Sequence, residues 1–391
     1  MGRLLFDLKA VDERTMNEYH KQAEQAGKGS FAFAWILDQG SEERERGVTI
    51  DIATDHFETD RTAFTILDAP GHRDFVPNMI AGTSDADFAV LVIDASPGEF
   101  ESGMEGQTKE HALLARSTGI ERLIVAVNKM DRIEWSQIRY TDIQHQLLAF
   151  LTKTGFRPEK VSFVPCSGLK GLNIVEHCTD EQAKWYTGPT LVEELDKSEP
   201  RSHAIQKPLR MTLADVFQED GQSGLTVWGR IEAGNLQIGD EVLILPGNEK
   251  SSVRSIRVDE EPREWAVAGQ NVAIVLTHTD EETIHRGDML CSTASPARVV
   301  TEFTATVLAF EHLLPLPVEV HRGHLDRAAR ISKLVGILDK PHGAIIKKRP
   351  QIVSPGKTAR IKVELTEPAV IEEGRIVIRA EGRTWAAGHV E

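Results

Sequence analysis

Four short apolar runs stand out in the first half of the chain: TAFTILD at 62–68, FAVLVID at 88–94, RLIVAVN at 122–128 and the shorter VSFVPCS at 161–167. Each is too short for a typical helix and fits a strand buried in a parallel sheet. Between them lie stretches of mixed polarity, such as GQTKEHALLARSTG and YTDIQHQLLAFLTKTG, which read as helices. The second closes on Gly155, a residue suited to the left-handed turn that ends many helices. Strand and helix alternate, as in a doubly wound α/β domain. Residues 41–58, SEERERGVTIDIATDHFE, are less regular. A charge run suited to a solvated helix face precedes Gly47 and the apolar Val48-Thr49-Ile50, which predicts a mobile loop feeding a strand.

After LDKSEPRSHAIQKP the pattern changes to short strands separated by GQSG, EAGN, IGD, AGQN and HRGD, the spacing of small all-β barrels. A second break near CSTASPARVV leads into another run of β segments ending at RIVIRAEGRTWAAGHV. The pattern predicts domains near 1–200, 201–297 and 298–391.

The 391 residues are 40% hydrophobic and 27% charged, enough for substantial cores and too long for one ordinary domain. Mean hydropathy is −0.27, and no apolar run approaches the roughly 18 residues of a spanning helix. The N-terminus does not resemble a signal peptide, so the expectation is a cytoplasmic chain with no membrane association. Cys166, Cys178 and Cys291 are scattered and lack metal-ligand spacing, which predicts a reduced chain without structural zinc. The net charge of −15 argues against general nucleic-acid affinity. It is uneven: residues 1–200 carry 21 basic and 34 acidic side chains, 201–297 carry 9 and 15, and 298–391 carry 15 and 11. Lys347, Lys348 and Arg349 stand in a row in the basic segment, either as a solubilising turn or as part of a partner contact.

Chemistry concentrates where the strands end. FTILDAPGHRDF carries Asp68, Pro70, Gly71 and His72 just past the first apolar run. Turn formation, helix capping and an ordinary surface histidine would each account for part of it. Ligands of open α/β sheets, however, sit beyond the carboxyl ends of the strands. NKMD, Asn128 to Asp131, closes the third run. An Asn and an Asp there can hold a purine edge, the carboxylate accepting the N1–H and 2-amino donors of guanine, which adenine does not offer. The Lys129 stem can lie over the base. Four such residues match by chance in many proteins. LDAPGH, NKMD and CSGL at 166–169, in that order at successive strand ends, are far more specific.

Together with EERERGVTID, these motifs resemble the translational GTPases of the elongation-factor family, and the resemblance extends over the two following β domains. It implies a P-loop GTPase-like α/β domain followed by two β barrels, with GTP or GDP and Mg²⁺ as ligands. By that resemblance Asp68 would hold Mg²⁺ through water and Thr49 would ligate it from the first switch loop. Gly71 would offer its N–H to the γ-phosphate, and His72 would orient the attacking water. Asn128, Lys129 and Asp131 would hold the base, with Ser167, Gly168 and Leu169 supplying backbone recognition of the guanine O6.

Within the family, SFAFAWILDQGSEERERGVTID, CSGLKGLNI, WYTGPTLVEELD and VDEEPREWAVAGQNV look most like the HBS-like ribosome-rescue group, the partners of Pelota. Elongation factor one-alpha shares DAPGHRDF but usually has Trp where Leu169 stands. Release factor three shares Ser-Gly-Leu but normally has a Lys near Val48. The resemblance therefore implies the ribosome and a Pelota-like adaptor as partners, or alternatively aminoacyl-tRNA or a release factor, and a monomeric chain. One departure matters: the 391 residues contain no G-x-x-x-x-G-K-[ST] phosphate loop. MGRLLFDLKA resembles the helix that follows that loop in relatives, so the resemblance implies a chain truncated past its first strand. A nucleotide-free module that only docks an adaptor is the alternative.

Overall fold

The computed structural model describes residues 1–25, 27, 29, 32–38, 43, 51–72, 75–199, 204–219, 224–258, 261–277, 279, 281–339 and 344–391. Residues 1–200 and 201–391 form two compact units. In the first, the predicted apolar runs become β2 (Ala63–Asp68), β3 (Ala89–Asp94), β4 (Leu123–Asn128) and β5 (Val161–Pro165), preceded by β1 (Ala53–Glu58). The helices are α1 (Gly2–Asp7), α2 (Glu13–Gln25), α3 (Val76–Asp85), α4 (Glu99–Glu105), α5 (Gln107–Thr118), α6 (Gln137–Thr154) and α7 (Leu191–Asp196).

Strands β3, β4 and β5 form a parallel sheet with β4 in the middle. Every residue of β4 except its terminal Asn is buried, and the two faces enter different cores. Ile124 and Ala126 pack with α1, α2 and α7, whereas Leu123, Val125 and Val127 pack with α5 and α6. Helices thus cover both faces, which is why the strand reads as a continuous apolar run. Tyr140, Ile143, Leu147 and Leu151 give α6 one buried stripe at helical spacing, and Gly155 ends it at φ 102°. The first run departs from expectation. β2 pairs antiparallel with β1, Ala53 opposite Asp68, and only Ile66 along it is buried. Its alternation is that of a hairpin with one face on the core and one toward water.

The second unit contains two closed barrels. In the first, Glu249–Val258, Asn271–Thr277, Leu225–Ala233, Arg210–Phe217, Met289–Ser292 and Glu241–Leu245 pair in that order, and the last returns to Glu249–Val258. In the second, Pro317–Arg322, Gly374–Ala380, Arg383–Val390, Val299–Ala309, Thr358–Val370 and Leu325–Leu338 close in the same way. Closure removes the sheet edges that would otherwise invite association. Leu243, Leu245, Met289, Cys291, Ala297 and Val370 form an apolar seam joining the barrels. Beside it the Arg210 Nε–H lies 2.9 Å from each carboxylate oxygen of Glu372. Lys347 and Lys348 lie on the exposed strand Ile345–Lys348, which pairs outside the closed ring. Among the described residues no helix is long and apolar enough to cross a membrane.

Candidate nucleotide-binding site

The loops after β4 and β5 are tied together by the residues singled out in the sequence. The Asn128 side-chain oxygen accepts hydrogen bonds from the Lys129 and Gly168 amides, both at 2.8 Å. With that oxygen committed, the amide nitrogen of Asn128 is the group left to donate outward. Lys129 takes the left-handed conformation at φ 62°, turning the chain into the short turn Met130–Ile133. The Met130 amide donates to the Cys166 carbonyl at 3.2 Å, and the Cys166 amide donates to Val127 at 2.9 Å. Across this seam the fully buried Ser167 donates its hydroxyl to the Asp131 carboxylate. Gly168 stands so close that a Cβ there would lie 3.3 Å from the Asn128 oxygen.

The 167–172 loop is a tight turn. Ser167 donates its amide to Leu172 at 3.0 Å, and its carbonyl accepts from the Gly171 and Leu172 amides at 2.8 and 3.1 Å. Leu169 stands at the tip of the turn and is 59% exposed. The Lys129 ammonium is held by Asp94, the last residue of β3, at 2.6 Å, which ties the β4 loop to the end of β3. Burial pushes the Asp94 carboxyl up, but hydrogen bonds from Lys129 and Ser96 outweigh it and hold it below the ordinary value.

The second corner lies beyond β2. Burial raises the pKa of Asp68, the Asp38 and Glu43 carboxylates push the same way, and the Met1 ammonium opposes them. A carboxylate held under such pressure favours a cation. Among the described residues no cluster of three or more His, Cys, Asp or Glu could enclose a metal ion. A Mg²⁺ that keeps its waters and takes other oxygens from phosphates fits that sparse donor set. Gly71 follows, its carbonyl 2.9 Å from the His111 Nε2 on α5. Burial lowers the His111 pKa against the effect of that bond, so the ring is a neutral imidazole whose Nε2–H donates. His72 is exposed, its ring centroid 6.0 Å from that of Phe75. Thr49, assigned to the metal by resemblance, lies outside the described residues.

Asp94, His111, Asn173 and Arg139 were not singled out in the sequence. Asn173 is buried and donates to the Pro165 carbonyl at 2.7 Å, anchoring the base of the 167–172 loop. Arg139 donates to the Ala95 and Ser96 carbonyls at 3.1 and 3.4 Å and pairs with Glu101 at 2.7 Å, bracing the loop after β3. Only Asp94 carried a usable signal, since it closes FAVLVID as Asp68 closes TAFTILD.

Three family profiles cover most of the chain: Elongation factor Tu GTP binding domain over residues 1–209, Elongation factor Tu domain 2 over 224–291, and GTP-eEF1A C-terminal domain-like over 302–391. The chain is 38% identical over 404 residues to Protein HBS1 of Drosophila melanogaster, covering 100% of this chain and 60% of that protein. It is 42% identical over 405 residues to Elongation factor 1-alpha of Staphylothermus marinus, covering 100% of this chain and 92% of that one. The Ski7 GTPase-like domain of S. cerevisiae, crystallised with GDP and inorganic phosphate, shares the fold with a TM-score of 0.81 at 20% identity, covering 100% of this chain and 93% of that one. Asn128, Asp131 and Ser167 joined across two strand ends, an acid and a glycine after a third, and two closed barrels in the second unit agree with these matches: the chain belongs to the translational GTPases, as a GTP-binding translation factor of the elongation factor 1-alpha and HBS1 family.

Proposed function

We propose that this translation factor works in ribosome rescue, carrying a Pelota-like adaptor to stalled ribosomes and hydrolysing GTP there. The observation that carries the reading is the full-chain similarity to Protein HBS1, together with Leu169 at the tip of the base loop. GTP is the substrate, its guanine edge read by Asp131 and the Asn128 amide and its O6 by the 167–169 loop. Mg²⁺ near Asp68 and Thr49 would neutralise phosphate charge. The protein's own contribution to the reaction is positional. Gly71 lets the backbone come close to the phosphate end, His111 fixes its carbonyl, and the next residue, His72, orients a water toward the γ-phosphate. Attack by that water forms a P–O bond and breaks the bond to the β-phosphate oxygen, leaving GDP and phosphate.

The strong similarity to Elongation factor 1-alpha supports a second reading, delivery of aminoacyl-tRNA. Titrating the chain with a purified Pelota-like protein and, separately, with aminoacyl-tRNA distinguishes the two, and ribosome co-sedimentation with GTP tests recruitment. Rescue requires saturable binding of the Pelota-like protein with at least tenfold preference over aminoacyl-tRNA. The reverse preference would move the chain to the elongation branch. Adaptor binding with no response to guanine nucleotide would make it a docking module.

A further inference from the structure

Helix α1 reaches the base loop through one side chain. Arg3 donates from Nη1 to the Leu169 carbonyl at 3.2 Å, a contact 166 residues apart in sequence. The guanidinium is itself braced on two sides. Its Nε–H lies 2.8 and 2.9 Å from the two carboxylate oxygens of Asp7, and its carbon sits 5.1 Å from the Phe33 ring centroid. Charge-assisted hydrogen bonds and stacking on an aromatic face make an arginine a rigid tie. The loop is shaped to receive it. Gly171 has φ +74°, and a Cβ at that position would lie 2.3 Å from Nη2. The guanidinium therefore fills space that a glycine leaves open.

The geometry points to Arg3 as a positioning residue for guanine recognition, acting through the Leu169–Lys170 peptide. This inference rests on the base-site reading above. Within the loop, Asn128 fixes Gly168 and Asp131 holds Ser167, so the stem of the turn is anchored from β4. Leu169, at the exposed tip, is tied from outside by Arg3. With its carbonyl pinned outward, the tip keeps the backbone curvature that leaves the Leu169 N–H to meet the base edge, the Gly168 and Lys170 amides being held by Asn128 and Ser167. Released, the tip would still close the loop but would read O6 less well. Guanine has an acceptor at that position and adenine a donor, so the loss falls on discrimination rather than on binding as a whole.

The test is equilibrium titration of the 391-residue chain with GDP and ADP, at up to millimolar concentration, for wild type, Arg3→Met and Arg3→Lys. Methionine keeps an unbranched apolar stem and removes the donors and the charge, and thermal unfolding is followed in parallel. Arg3→Met should lower the GDP-to-ADP affinity ratio about fivefold, the weight of one hydrogen bond, and Arg3→Lys, which keeps a charged donor without the fork, should recover only part of that loss. Amide exchange at residues 170–172 should quicken in Arg3→Met while β4 is unchanged. A wild-type ratio retained in folded Arg3→Met overturns the role of Arg3 and leaves the base site standing. Equal weakening of GDP and ADP with a lower melting temperature makes Arg3 a structural clamp and also overturns it. A wild type without guanine preference overturns the base-site reading itself.

Discussion

Replacing Asn128 with alanine should loosen the junction between the β4 and β5 loops by a calculable amount. Its side-chain oxygen accepts two backbone N–H bonds at 2.8 Å, and one of them crosses to Gly168, 40 residues away. A hydrogen bond contributes a net ~1 kcal/mol, and a buried donor left unpaired costs roughly 1–3 kcal/mol. Both donors here are half-buried, so water recovers part of the loss and the expected cost is about 2 kcal/mol. For a unit of this size that corresponds to a fall of about 4–8 °C in melting temperature. Urea and thermal unfolding read the global effect, and amide exchange at Gly168 reads the local one. Exchange there should accelerate about 30-fold if local opening follows the same energy. A loss below about 0.5 kcal/mol with Gly168 protection unchanged would refute the claim that Asn128 is the strut between the loops.

Glu101 gives a pH prediction. Its bidentate bond to Arg139 holds its carboxyl down to about 2, below its ordinary value. A depressed folded pKa means stability present above the unfolded pKa and lost as pH falls through the folded value. Thermal unfolding from pH 5 down to pH 2 should show a loss that Glu101→Gln flattens, although the exposed side chain keeps the effect modest through solvent screening. In a version of the protein that carries the phosphate loop, His72→Ala should leave nucleotide affinity near wild type and lower ribosome-stimulated, single-turnover hydrolysis by roughly 10²- to 10⁴-fold, the usual weight of a positioned acid–base group. A parallel fall in affinity and melting temperature would instead make His72 a turn residue.

The strand ends were legible because each apolar run stops at a residue that a buried strand does not keep: Asp68, Asp94 and Asn128. Period and punctuation carry that information locally. The partners were not legible, since Lys129 with Asp94, Asp131 with Ser167, and Gly71 with His111 are pairs 35 to 40 residues apart that periodicity does not relate. The antiparallel pairing of β2 was missed for a related reason. A run of six residues looks alike in a hairpin with one solvated face and in a buried parallel sheet, and pairing with 53–58 is what distinguishes them. Arg3 carried no signal at all, because an arginine in the first turn of an amphipathic helix is ordinary until Gly171 is seen to make room for it.

The claim that Asp131 and its neighbours select guanine is tested most directly by exchanging the base specificity. Wild type and Asp131→Asn are titrated with GDP, xanthosine diphosphate and ADP at concentrations up to the millimolar range, and the amide signals of Lys129 and Gly168 are followed by NMR. A carboxylate accepts the N1–H and 2-amino donors of guanine, whereas an amide can donate to the 2-oxo group of xanthine. The account predicts GDP-selective shifts in wild type and a preference reversed toward xanthosine diphosphate by at least tenfold in Asp131→Asn. Equal responses to GDP and ADP in wild type, or an undiminished GDP preference in Asp131→Asn, would contradict it.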